Sequence, residues 1–339
     1  MNIFAQARAS ILSWAHTTPL PSADQAHPTF QSWHHFDPVL QWVSLPSNAG
    51  RDHAEPTRGG NTDLVLLTWN IDATSPRTQE RVTDIVTFIT ELDPKVDIVF
   101  LQEVSRPALQ QILKDERVRE SWFSSERDDA AWGKQPFATM ILLSKERFAS
   151  YHNSQISNAV LGHIWRVKYP SHFDRDALCC DVFFPSPQES EHSTTRIRLV
   201  NVHLNSLPIK PSHRPRQISI VSAFLRVAGC GVVAGDFNPV LEEDAALIGS
   251  NGLTDVWTSL HPEEPGFTWG VHGEHPFPPN RLDKVAVLGL KPSNIKILEP
   301  KRLGDSDTSR FQQTDPIEDT PLWSDHHGVL CSFGLAKSE

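Results

Sequence analysis

The sequence predicts an α/β fold. Short apolar runs of strand length alternate with segments of helical period, the first strand–helix–strand unit requires a crossover connection, and several apolar runs stop at an acid or an amide. From Asp63 onward the run LVLLTWNI reads as a buried strand ending in polar residues. In SPRTQERVTDIVTFITELDP, Val82, Ile85, Val86, Ile89 and Leu92 recur at helical spacing and Pro94 is the stop, which predicts an amphipathic helix. VDIVFLQEV is a second strand that ends in an acid. PFATMILLSKERF and RIRLVNVHLN read as strands and QISIVSAFLRVAG as a helix, while the strand GVVAGDFN carries an acid and an amide at its end. LDKVAVLG and HHGVLCSFG close the set. Residues 189–195 and 302–321 are polar and irregular and read as surface excursions, the second a mobile one. No period of 20 to 50 residues repeats along the chain, which sets aside solenoids and propellers.

Residues 1–61 are rich in Pro, Ser, Thr and His without a sustained period, yet they carry Trp14, Trp33, Phe36 and Trp42. They read as a partly ordered N-terminal extension, with QSWHHFDPVLQWV lying across the surface of the following domain. Residues 48–61 have linker composition, so the domain is drawn over 62–339.

The 31 Lys+Arg against 41 Asp+Glu give a net charge of −10, with 39% hydrophobic and 21% charged residues. That balance excludes a collagen, a coiled coil or a chain disordered throughout. No apolar run approaches the ~18 residues of a transmembrane helix, so no membrane partner is expected, and a monomer is. The acidity argues against broad coating of nucleic acid but allows a locally basic cleft. Cys179, Cys180, Cys230 and Cys331 lack CxxC spacing and provide neither a disulfide framework nor a zinc site. An intracellular, reducing home (nucleus or cytoplasm) is expected. The first residues lack a basic region followed by a clean apolar core, against a secretory signal, although one Arg and no acid before Asp24 is a trait shared with mitochondrial leaders.

Polar groups that a hydrophobic strand does not need stand at four strand ends: Asn70 and Asp72; Glu103; His203 with Asn205 and Ser206; Asp236 with Asn238. Asp283, Asp325 and His326 follow late in the chain. Each alone is an ordinary turn residue. Together they point to a site, because strand ends of α/β cores converge on one crevice. Carboxylates and amides without a thiolate or a histidine cluster make a hard, oxygen-rich site suited to Mg²⁺ or Mn²⁺. Such a metal binds through one or two carboxylates and substrate phosphate, which points to phosphoryl chemistry. His326 beside Asp325, with Asp283 upstream to bond its ring, can hold a fixed tautomer and a raised pKa and donate to a phosphate oxygen.

The motifs TWNID, FLQEV, VHLNS, GDFN, RLD and SDH occur in the order seen in the endonuclease/exonuclease/phosphatase superfamily, and over residues 64–333 the chain resembles its tyrosyl-DNA phosphodiesterase 2 group. The resemblance implies a four-layered α/β sandwich, two central mixed β-sheets covered by helices, with the site at one end between the sheets. It implies a metal-dependent hydrolase with Glu103 as the main metal ligand and Asn70 and Asp72 flanking metal and phosphate. Asp236 would be the general base and Asn238 would hold the attacking water or a phosphate oxygen. His326, fixed by Asp283, would stabilise the phosphorane-like transition state, with Asp325 in the outer metal shell. His203 would bond a non-bridging oxygen, with Ser206 assisting.

The chain departs from the group where the substrate is gripped. HLNSLP stands where relatives carry HLEST and then Arg, so Asn205 replaces an acid and Pro208 the phosphate-binding Arg, and Pro136 replaces an aromatic. Trp269 offers a flat wall for a base or ring, and Arg214 and Arg216 are candidates for the lost charge or members of a solvated loop. The leading expectation is a Mg²⁺-dependent phosphodiesterase acting on a nucleic-acid end or adduct. The alternatives are a hydrolase of a small phosphate ester (a nucleotide, a sphingolipid headgroup or an inositol phosphate) and a non-catalytic binding module.

Overall fold

The computed structural model describes residues 18–21, 27–45, 63–150, 159–185, 194–273, 276–304 and 320–335. In chain order these form β1 (Pro28–Gln31), β2 (His34–Asp37), β3 (Gln41–Ser44), β4 (Leu64–Asn70), α1 (Thr78–Glu91), β5 (Ile98–Ser105), α2 (Arg106–Lys114), α3 (Glu116–Ser121), β6 (Trp122–Ser124), β7 (Phe137–Ser144) and β8 (Phe148–Ala149). There follow β9 (Ala159–Lys168), β10 (Asp176–Pro185), β11 (Thr194–His203), α4 (Arg214–Ala228), β12 (Gly231–Asp236), β13 (Thr254–Asp255), α5 (Val256–Leu260), β14 (Asp283–Leu288), β15 (Leu290–Leu298) and β16 (Gly328–Leu335).

The strands make two mixed sheets. One runs β1-β9-β10-β11-β12-β14-β13, with β8 beside β9; the other runs β15-β16-β4-β5-β7-β6-β2-β3. Because strand side chains alternate between faces, each sheet has two apolar faces to bury. Leu66, Phe100 and Ile141 of one sheet meet Leu178, Leu199 and Val232 of the other in the central core. Val82, Ile85 and Ile89 of α1 and Leu109 and Ile112 of α2 cover the outer face carrying Leu67 and Val99. Ile218, Val221 and Phe224 of α4 cover Val200 and Val233 on the other side. The architecture is therefore a four-layered α/β sandwich, as expected, and among the described residues no helix is long and apolar enough to cross a membrane.

Several strands escape the sequence pattern. β9 and β10 carry buried charge: Arg166 is held by Glu126 at 2.7 Å and Asp176 at 3.0 Å, so neither strand reads as an apolar run. Residues 28–44, read as part of an extension, contribute strands to both sheets: β1 pairs with β9, and β2 pairs with β6 and β3. Trp33 is buried in the central core and its Nε1 donates to Gly162 O at 3.1 Å. The linker 48–61 and most of 189–195 and 302–321 lie outside the described residues.

Register sets the site. His203 stands opposite Asp236 in the parallel β11–β12 pair, and Asp236 opposite Asp283 in the antiparallel β12–β14 pair. Asn70 stands opposite Gln102 in the parallel β4–β5 pair. A bulge between Leu101 and Val104 breaks the β5–β7 ladder, and within it Glu103 has φ +56°. Bulges re-aim side chains at such positions, and a non-glycine residue there is strained by roughly 1–3 kcal/mol that the surrounding fold must offset. A glycine is required at 235: with φ +140°, a Cβ there would lie 2.0 Å from Val202 O. Beneath the site the sheets are tied together by side-chain amides. Gln102 Nε2 donates to Asn201 Oδ1 at 2.8 Å, and Asn201 Nδ2 donates to Leu101 O and Met140 O at 3.0 and 2.9 Å.

Candidate active site

Asn70, Glu103, His203, Asp236, Asp283 and His326 meet at one end of the sandwich. Asn70 Nδ2 lies 3.1 Å from Asp236 Oδ2, 3.3 Å from Glu103 Oε1 and 3.5 Å from His326 Nε2. His203 Nε2 is 3.5 Å from Asp236 Oδ2, and His326 Nε2 is 4.0 Å from the same oxygen. One carboxylate oxygen is thus ringed by three nitrogens from three strands or strand ends. The other oxygen, Oδ1, accepts from the backbone N–H of Asn238 at 2.9 Å, and Asn238 holds φ +46° with its amide on Leu204 O at 3.4 Å.

His326 is fixed from behind. Its Nδ1 is 2.7 Å from Asp283 Oδ2, which also accepts from the Thr268 hydroxyl at 2.7 Å. Burial alone would lower the His326 pKa, but Asp283, by charge and hydrogen bond, and then Asp236 and Asp325 raise it well above the usual histidine range. Burial pushes the Asp236 carboxyl up to about 7, with Asp283 and Glu103 adding to the rise and His326 opposing it. Asp236, Asp283 and His326 bring ligand atoms within 4.8 Å of one another. Within this trio Asp283 Oδ2 is shared between His326 and Thr268. His203 behaves oppositely: burial, then Arg175 and His326, lower its pKa well below the usual value, so it is neutral.

Arg175 is a residue that sequence reasoning missed. Its Nη1 lies 2.5 Å from His203 Nδ1, and its guanidinium stacks 4.8 Å from the Phe137 ring, which itself stacks on His203. A guanidinium only donates, so Nδ1 of His203 accepts and its proton sits on Nε2, facing Asp236 and Glu103. Burial lowers the Arg175 pKa while Glu103 and Asp236 oppose the drop. Arg175 is a cation inside the crevice, whereas the sequence reading looked to Arg214 and Arg216 for the charge missing at Pro208. Arg81 was also missed. It is fully buried on α1 and donates to Ile71 O, Asp72 O and Trp323 O at 2.9, 2.7 and 2.6 Å, pinning the loop after β4 to the segment before His326. A charged residue on the buried face of a predicted helix was its only signal. Ser324 adds to this pin by donating to Asn70 O at 2.6 Å.

The other predicted residues have different surroundings. Asp72 Oδ1 accepts from Thr74 N, Thr74 Oγ1 and Ser75 N, so this carboxylate shapes the turn into α1. Asp325 Oδ2 accepts from Trp269 Nε1 at 3.2 Å, which orients the half-buried indole at the edge of the site. Asn205 is buried and its Oδ1 accepts from Ser171 and Gln217, which makes it a wedge between loops, with half-buried Ser206 beside it. Arg214 belongs to no solvated loop: it is buried against Asp244 at 2.7 Å and donates to Asn205 O and Leu207 O, while Arg216 lies exposed on α4. Leu207 and Pro208 are exposed.

The donor set fits a hard divalent ion. Glu103 is partly open to the crevice; its Oε2 accepts from Ala73 N at 3.0 Å and its Oε1 from Asn70 Nδ2 at 3.3 Å. One carboxylate with neighbouring oxygens, completed by water and phosphate, is the usual arrangement for Mg²⁺.

Over residues 67–333 the sequence matches the Endonuclease/Exonuclease/phosphatase family. The chain belongs to this family. It is accordingly a hydrolase of the phosphodiesterase and nuclease-like kind. A search of curated proteins gives no match. Among solved structures the fold is similar to a humanised D. rerio TDP2 (TM-score 0.60, 21% identity, covering 81% of this chain and 100% of that one). It is also similar to C. elegans TDP2 (TM-score 0.56, 20% identity, 80% and 74%) and to the human Nocturnin catalytic domain (TM-score 0.50, 14% identity, 81% and 94%). At these identities the likeness establishes the fold.

Proposed function

We propose that this family member is a Mg²⁺-dependent phosphodiesterase that cleaves a phosphodiester at a DNA end or adduct, in the manner of a 5′-tyrosyl-DNA phosphodiesterase. The observation that carries the reading is the ring of Asn70, His203 and His326 around Asp236 Oδ2. Asp236 takes a proton from water as its oxygen adds to phosphorus. Asn238 and Asn70 hold Asp236 in position for that transfer. The ester P–O bond to the leaving group breaks, and protonated His326 and the Nε2–H of His203 donate to the phosphate oxygens on which charge accumulates. A Mg²⁺ ion held by Glu103, with Asn70 beside it, supplies Lewis-acid stabilisation of that charge when bound. A D. rerio TDP2 structure similar in fold to this chain contains a single-stranded DNA product, which favours a nucleic-acid end as substrate.

A second reading, hydrolysis of a small phosphate ester, draws on the net charge of −10 and on Pro208 in place of a phosphate-binding Arg. Incubation with Mg²⁺ and 5′-tyrosyl DNA, abasic DNA, single-stranded RNA and small phosphodiesters separates the two, with Asp236→Asn as the control for contaminating activity. Turnover of tyrosyl DNA that is lost in the variant is expected. Turnover confined to small esters would overturn the DNA-end reading.

A further inference from the structure

Outside the active site, the fold brings together two histidines that are 55 positions apart in sequence. His327 follows His326, is buried, and is anchored by its backbone N–H to Thr268 O at 2.7 Å. His272 lies in the turn just after Trp269 and is one-third exposed. Their Nε2 atoms are 3.3 Å apart, with ring centroids 5.3 Å apart and planes inclined by 34°. Glu299, just past the end of β15, places Oε1 3.9 Å from His272 Nε2 on an exposed side chain. Among the described residues only Asp236, Asp283 and His326 already bring three ligand atoms within 4.8 Å of one another, so Glu299 would have to turn toward the pair to complete a site.

We infer that His272, His327 and Glu299 form a zinc-class site, separate from the oxygen-rich catalytic site and unrelated to the cysteines. With Zn–N bonds of about 2.0–2.1 Å in tetrahedral geometry, two imidazole ligands stand about 3.3–3.4 Å apart, which is the separation of the Nε2 pair. That distance is long for a direct hydrogen bond between the rings. Two imidazoles and one carboxylate, with water in the fourth position, select a borderline-soft ion, whereas the Glu103 carboxylate selects a hard one. The sequence reading excluded zinc from cysteine spacing and saw no histidine cluster. The pair arises only when β16 and the turn after Trp269 are packed together. A bound ion would fasten that turn, and with it Trp269, to the residue that follows His326.

The test is a Zn²⁺ titration of the full chain, stripped of metal by a chelator and then saturated with Mg²⁺ to occupy the oxygen-rich site. Stoichiometry and affinity are read by calorimetry, and Co²⁺ is used in parallel for the visible bands of a tetrahedral ion. Wild type is expected to bind one Zn²⁺, His272→Ala to bind it at least tenfold more weakly and without the tetrahedral Co²⁺ bands, and Glu299→Gln to lose affinity severalfold. Asp283→Asn, which alters the Asp236–Asp283–His326 trio, should bind as wild type does. Zn²⁺ binding unchanged in His272→Ala, affinity lost only in Asp283→Asn, or no binding by wild type at micromolar Zn²⁺ would each overturn the site.

Discussion

Asp236 and His326 are complementary because their surroundings move their proton affinities in ways that suit opposite tasks. In the proposed mechanism Asp236 must be ionised to take a proton, so kcat/KM should rise with pH through about 7. In the same proposal His326 must be protonated to donate, so activity should fall only well above the usual histidine range. Asp283 raises both values, so Asp283→Asn should move both limbs of the profile to lower pH while reducing kcat. A pH–rate profile of the residual activity checks this, and an unmoved alkaline limb would take His326 out of the donor role. Arg175 orients His203 and adds positive charge near Glu103 and Asp236. Arg175→Ala should raise KM for a phosphodiester by roughly tenfold, the ~1.4 kcal/mol expected for losing one charge-assisted contact. Arg175→Lys should restore charge but not the stacking on Phe137. Steady-state kinetics on the three proteins decide it.

At the scale of elements, the active face was legible wherever a strand ran toward it and ended in a polar residue. LVLLTWN, VFLQE, LVNVH and VVAGD each announce themselves by an apolar run that stops at Asn70, Glu103, His203 or Asp236. Arg175 was not legible because β10 is antiparallel to β11 and begins at that face. Arg175 precedes this strand and reads as ordinary loop. The loop after His203 was legible as a departure in sequence but not in its support, which comes from Arg214 on α4. Arg214→Ala should leave Asp244 buried without its cation and Leu207 O and Asn205 O without their donor. Breaking a buried pair in this way costs about 3–5 kcal/mol, so denaturant unfolding should show a loss of that order. A change below about 1 kcal/mol, the range of exposed pairs, would mean that solvent reaches Asp244.

For the whole molecule, the α/β class followed from the order of runs and the four-layered sandwich from the family resemblance, but neither showed the part played by residues 28–44. Four-residue strands with mixed exposure carry no period that a sequence can display, and only the pairing of β1 with β9 and of β2 with β3 and β6 gives them a place. The two sheets are joined behind the site by Gln102 and Asn201, a polar tie between the layers. Asn201→Ala should remove the side-chain donor to Leu101 O and Met140 O and one acceptor of Gln102 Nε2, which keeps its bond to Thr68 Oγ1, at roughly 1–3 kcal/mol for each buried group left unsatisfied. Thermal or denaturant unfolding measures the loss, and Asn201→Asp, which retains an acceptor for Gln102 but cannot donate to the two carbonyls when ionised, should do no better than Ala.

The Asn201 side chain has a consequence for observing the molecule in motion. Its two amide protons point to carbonyls on two neighbouring strands of the opposite sheet, and the residue is fully shielded from solvent. Isotope exchange at such protons requires the layers to part. Their NMR signals should therefore persist in D₂O as long as those of the slowest backbone amides. They would serve as a built-in clock for separation of the two halves of the sandwich, reading that event apart from fraying at either outer layer.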